Sequence, residues 1–201
     1  MPELDSDTFT YSDGVLATVS SGKWEKLSGM ADMTVVSNEV HATDEDCVAR
    51  IAAWSGHTTD HYAECKISNS QSDNGGPVLR ANGTSTYYYI RGDGTGNGVN
   101  VFKVVSGSFT SIHADAGSYA INDVIRGEIV GTTITVKKNG TELYSPFTDS
   151  AISSAGRPGI GGFNALGRLN DWAAGDFAAG AAFLAANPTM VRQAVNRAGT
   201  Y

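Results

Sequence analysis

Between Asp123 and Gly140 the chain reads DVIRGEIVGTTITVKKNG. Ile125 and Ile129 fall on one face of an extended segment while Arg126 and Glu128 fall on the other, and Ile134 and Val136 repeat the pattern after Gly131. Two such runs, Val124 to Val130 and Thr132 to Lys138, predict a half-buried antiparallel hairpin that turns at Gly131. Asn139-Gly140 supplies residues that tolerate positive φ at the next turn. A hairpin with one apolar face needs a second layer to cover it, so this stretch constrains the rest of the chain to supply one.

The remaining sequence supplies short two-periodic runs. Val15 and Leu16, Lys23 to Leu27, Met33 to Val36 and Glu39 to His41 read as short strands, followed by Cys47 to Trp54 and His61 to Ser68. In the last of these Ala63, Cys65 and Ile67 face the core, and Tyr62, Glu64 and Lys66 face away. Pro77 to Ala81 resumes with Leu79 inward and Arg80 outward, then Thr86 to Ile90, Val99 to Val105, Phe109 to His113, Gly159 to Phe163 and Leu169 to Trp172 continue the series. No helical stretch separates them before the last thirty residues, which favours an all-β, two-sheet antiparallel jelly-roll sandwich over a parallel α/β sheet. The 24 glycines, with many Ser, Thr and Asn, suit a fold of many turns.

A chain of 201 residues is long enough for one such domain, placed at 1–177. From 178 to 201 an alanine-rich, non-globular tail follows, with Arg192 and Arg197 and no acidic residue after Asp176. Its Phe183, Leu184, Met190, Val191 and Tyr201 fit either a disordered terminus or an arm that docks on another subunit. The net charge of −7 offers no cationic footprint for nucleic acid, and no segment approaches the roughly twenty apolar residues of a membrane span. MPELDSDTF has no secretory-signal pattern, so the chain is expected to be made in the cytoplasm and to end in a virion or extracellular assembly. Cys47 and Cys65 permit one bridge across a hairpin turning near Gly56, with two reduced core thiols as the other reading.

In order, DTFTYSDGVL, HYAECKIS, GPVLRA with TYYYI, VFKVVSGSFTSI, DVIRGEIVGTTITVKKNGTEL, PGIGG and RLNDW resemble the concanavalin A-like (laminin G-like) jelly-roll domains of bacterial and phage proteins, over about residues 5 to 177. The resemblance implies the fold, shared by lectins, glycosidases, lyases and virion proteins, and not one activity. It also implies a structural calcium, for which Asp13 and Asp171 are the nearest matches, with Asn170 where similar domains carry a second acidic residue.

Glycosidases of this fold carry a carboxylate pair in an E-x-D-x-x-E motif. Glu3-Leu4-Asp5-Ser6-Asp7 has the period without the last Glu and lies at the chain start, and Asp44-Glu45-Asp46 reads as a solvated turn. The candidate site is instead an outward face where Tyr62, Glu64, Arg80 and one or both of Tyr87 and Tyr89 gather on the concave sheet, aromatic faces stacking on sugar rings and Arg and Glu bonding hydroxyls. The bland reading is a Glu64–Arg80 surface ion pair amid strand tyrosines. His41, His57, His61 and His113 have no metal-ligand spacing and read as surface or turn histidines. Arg91-Gly92-Asp93 reads as a turn before an adhesion motif, and the sequons at Asn82 and Asn139 read as turns as well.

The expected function is a non-enzymatic structural, decoration or adhesion module of a larger, phage-like assembly. It would self-associate, with docking through the tail and possible glycan binding on the concave sheet. The alternatives are a polysaccharide-active enzyme using Glu64 with Tyr62 or Arg80, and a stand-alone carbohydrate-binding module.

Overall fold

The computed structural model describes residues 5–54, 58–68, 75–83, 85–92, 98–116, 118–163 and 167–177. Its strands begin with β1 (Asp5–Asp7), β2 (Gly14–Val15), β3 (Trp24–Lys26), β4 (Met33–Val36), β5 (Glu39–Ala42), β6 (Cys47–Ile51), β7 (His61–Ile67) and β8 (Gly75–Asn82). They continue with β9 (Thr86–Gly92), β10 (Val99–Val105), β11 (Ser108–Ala116), β12 (Val124–Val130), β13 (Thr133–Lys138), β14 (Thr141–Glu142), β15 (Phe147–Thr148), β16 (Arg157–Gly162) and β17 (Arg168–Asp176). One helical turn, α1 (Leu16–Val19), follows β2, so Leu16 enters the core from a helix and not from a strand.

These strands make two antiparallel sheets. One runs β14-β13-β12-β7-β17-β5-β4-β2, with β1 added on β17 and β15 on β13; the other runs β11-β10-β9-β8-β16-β6-β3. The expected hairpin is β12 and β13, paired from Ile125↔Lys138 to Val130↔Thr133. Its reversal at Gly131 has φ +57, and Asn139 and Gly140 take φ +50 and +81 at the next turn. The all-β jelly-roll sandwich anticipated from the sequence is the fold observed.

Between the sheets lies the main core. Ala63, Cys65, Ile67, Ile125, Ile129, Ile134 and Val136 face Leu79, Tyr88, Ile90, Val99, Val101 and Ile160 across it. Each such side chain removed from water contributes roughly 1.5–3 kcal/mol before the entropy of ordering is set against it. Trp24 from one sheet meets Trp172 from the other edge-on at 4.7 Å. The chain start is tied into this junction. Asp7 accepts from Phe9 N–H at 2.8 Å, the Tyr11 hydroxyl at 2.7 Å and Trp24 Nε1–H at 2.8 Å. Asp5 to Asp7 pair with β17, so this segment is a strand.

Two further expectations change. Strands β6 and β7 belong to opposite sheets, so Cys47 and Cys65 do not sit on one hairpin; both are buried, free thiols, and burial pushes the Cys65 thiol up. Arg80 does not point outward. The register of β8 against β9 slips between Leu79 and Asn82, and Arg80 takes φ +51 within that bulge. One extra residue reverses the phase of the strand: Leu79 still enters the main core, Ala81 turns to the outside, and the Arg80 side chain, 2% exposed, reaches across to the other sheet. Among the described residues no helix is long and apolar enough to cross a membrane.

Candidate functional site

The five expected sugar-binding residues do not gather. Tyr62 and Glu64 lie on the outer face of the sheet containing β7, opposite Glu128 and Arg126 of β12. The Arg126 guanidinium sits 3.4 Å over the Tyr62 ring, and Phe177 packs edge-on against it at 6.3 Å. Arg126 also reaches Glu64 at 3.3 Å and Glu128 at 2.7 Å, and Lys137 closes on Glu128 at 2.8 Å. Thus Glu64 pairs with Arg126 and not with Arg80, and an enzyme built on Glu64 with Arg80 has no geometry here.

Tyr87 and Tyr89 are on the opposite side of the sandwich, outside the second sheet. With Leu27, Val48, Val78, Ala81 and Val104 they form a second apolar cluster, against which Met30 and Phe102 pack. Their rings are 0% and 2% exposed, so neither offers a face to a ligand. Burial raises both phenols above their ordinary value.

Arg80 is a structural clamp. Its guanidinium donates to the carbonyls of Thr59 (3.1 Å), Ile152 (2.7 Å) and Gly131 (2.8 Å) and meets Asp60 at 3.4 Å. Its own backbone N–H donates to His61 Nε2 at 3.2 Å. That bond requires neutral imidazole; burial first, and the Arg80 charge second, hold His61 down to about 3. The expected turn histidine is therefore a fully buried acceptor.

Beside this clamp the structure opens a cleft of about 240 Å³ lined by Arg50, Trp54, Thr58, Ala81, Asn82, Ala155, Gly156 and Arg157. Four adjacent strands build one wall. Ala81 is opposite Arg157, Gly159 is opposite Arg50, and Arg50 is opposite Glu25 of β3. Both irregular registers of this sheet region, in β8 and between Arg157 and Gly159 of β16, fall at the cleft, where bulges re-aim side chains.

Glu25 organises the two arginines. Its Oε1 meets Arg50 Nε and Nη2 at 2.7 and 2.6 Å and Arg157 Nη1 at 2.8 Å. Arg50 Nη1 donates to the Ala81 carbonyl at 3.0 Å. Gly156 lets the covering loop press onto the bulge: a Cβ there would lie 2.3 Å from the carbonyl carbon and oxygen of Arg80. Trp54 stands edge-on to His61 at 6.2 Å, so the clamp backs the indole. Aromatic, guanidinium and amide groups thus converge on one small concavity, where they can offer a ring face and hydrogen-bond donors. Sequence reading missed Glu25, Arg50, Trp54 and Arg157, although the alternation Cys47, Ala49, Ile51 inward already sends Arg50 outward.

The other candidates resolve separately. Asp13 accepts from Ser37 N–H at 2.9 Å, and Asp171 pairs with Lys66 at 3.1 Å. Among the described residues no group of three His, Cys, Asp or Glu is placed to hold a metal. Arg91 stacks over Phe102 at 4.5 Å and Phe163 at 5.0 Å, and Asp93 lies outside the described residues. His41 is near Glu39 at 3.5 Å, and His113 stacks on Tyr144 at 3.9 Å. His57 and the tail residues Phe183, Leu184, Met190, Val191 and Tyr201 lie outside the described residues.

No protein-family model matches the chain, and no curated protein matches it. Solved structures do. The carbohydrate-binding module CBM66 from Bacillus subtilis superposes with a TM-score of 0.58 at 17% identity, covering 74% of this chain and 91% of that one. A protein of unknown function with a galectin-like fold from Bacillus subtilis gives 0.54 at 10% identity, covering 88% and 96%. A xylan β-1,4-xylosidase from Bacillus halodurans gives 0.58 at 10% identity over 88% of this chain, which spans 40% of that enzyme. At these identities the likeness is one of fold, the two-sheet antiparallel jelly-roll sandwich.

Proposed function

We propose that this chain is a carbohydrate-binding module and that it holds sugar in the Glu25–Arg50–Trp54–Arg157 cleft. The observation that carries the reading is the convergence of two guanidiniums on one carboxylate beside an indole and the Asn82 amide, in a concavity of about 240 Å³. The indole supplies a face for C–H groups, and the fixed fork of donors matches adjacent hydroxyls. The fold likeness to a module named for carbohydrate binding supports the same reading. A glycan array probed with the wild-type chain and with Arg157→Ala tests it. Retention of at least one glycan class, reduced about tenfold or more by Arg157→Ala, is expected; no retention on a broad array contradicts it. The phage-like decoration role rested on the missing carboxylate pair, the missing signal pattern and the apolar tail at 178–201, and no observation among the described residues favours it.

A further inference from the structure

We propose that the sugar read by this cleft carries a carboxylate, an inference that rests on the carbohydrate-binding reading and specifies its ligand. It turns on how Arg157 is used. A guanidinium has five N–H donors on three nitrogens. Every hydrogen bond of Arg157 among the described residues leaves from Nη1, to Glu25 Oε1 at 2.8 Å, Ile51 O at 3.3 Å and Ala52 O at 2.5 Å. Those bonds fix the plane of the group, and the side chain remains 34% exposed. Among the described residues the Nε–Nη2 edge, two parallel N–H groups, meets no acceptor, and its geometry matches one with two oxygens at the same separation, which a carboxylate has and a single hydroxyl lacks.

Arg50 is used differently. Its Nε and Nη2 go to Glu25 and its Nη1 to Ala81 O, so it holds the carboxylate that in turn holds Arg157. Glu25 balances one of the two positive charges. The other acidic groups near the cleft lie beyond Thr58 and are engaged there. Asp60 accepts from Gly131 N–H at 2.8 Å and faces Arg80, and Asp176 accepts from Thr58 N–H at 3.3 Å. The cleft volume is below the roughly 300–1,000 Å³ of drug-sized pockets, so it suits one acidic ring with its neighbours outside.

The test is calorimetric titration of the full chain with oligomers of galacturonate, glucuronate and mannuronate, each beside its carboxyl-reduced counterpart. At least one acidic oligomer is expected to bind about tenfold or more tightly than its reduced form. Arg157→Lys, which keeps the charge and loses the fork, should remove most of that preference while the far-ultraviolet circular dichroism spectrum shows the sandwich still folded at the titration temperature. Equal binding of acidic and reduced forms, or retention of neutral glycans alone, overturns this inference and leaves the carbohydrate-binding reading standing. Absence of binding by these oligomers and by every glycan of the array overturns both.

Discussion

Outside the ten-strand sheet, Tyr62 is capped by a guanidinium; outside the seven-strand sheet, Tyr87 and Tyr89 are capped by Leu27, Met30 and Phe102. Both faces come from strands that alternate in the same way, yet one ends as a charged ladder of Glu64, Arg126, Glu128 and Lys137 and the other as a second apolar layer. The difference lies in what crosses above each sheet. The segment after β3 carries Leu27 and Met30 onto β9, whereas the outer side chains of β7 and β12 meet each other, Lys137 and Phe177. An outward-facing aromatic residue is therefore a statement about its strand and not about its exposure. The cleft opens where the second layer ends, at the bulges of β8 and β16.

The comparison can be broken at three depths. Arg80→Met should share the largest effect with Tyr89→Ala. It strips a donor from the carbonyls of Thr59, Ile152 and Gly131 and leaves Asp60 without its cation, at a cost of about 3–5 kcal/mol in a urea melt. A loss below about 1 kcal/mol would show that the guanidinium is solvated rather than clamped.

The two tyrosine caps differ. Tyr89→Ala leaves a hole in the apolar layer and should cost about 3–5 kcal/mol. Tyr62→Ala releases Arg126 to water and should cost about 1–2 kcal/mol, less at high salt. Equal losses at the two positions would erase the distinction between the faces.

Smallest per step is the pH effect of the group that joins the sheets. Unfolded, His61 takes a proton below 6.5; folded, it stays neutral down to about 3. Between those values the unfolded chain binds the extra proton, so stability present above pH 6.5 is lost as pH falls, by about 1 kcal/mol per pH unit. His61→Gln keeps an acceptor for the Arg80 N–H and should flatten this slope in denaturant melts across that range. An unchanged slope assigns the pH dependence to other groups.

Much of the fold was legible because β12 and β13 obey a strict two-residue period and sit between residues suited to turns. The alternation of β7 was read correctly for the same reason, with Ala63, Cys65 and Ile67 inward. The site was not legible. A bulge at Arg80 depends on cross-strand register, which no local pattern encodes, and one extra residue turned the expected sugar ligand into a buried clamp. Glu25 and Arg157 are 132 residues apart, and each alone is an ordinary charged strand residue. Trp54 closes the run read as one strand, whereas β6 ends at Ile51, and its place in the cleft emerges only once Thr58, Asn82 and Arg157 surround it.

The most direct test of the account is a nuclear magnetic resonance titration of the isotope-labelled chain with whichever glycan the array retains. The indole N–H of Trp54 and the guanidinium Nε–H of Arg157 and Arg50 should shift first and saturate together, with the amides of Tyr62 and Glu64 still. Shifts that begin at Tyr62, Glu64 and Arg126, leaving Trp54 and Arg157 unmoved, would place the ligand on the charged ladder and contradict it.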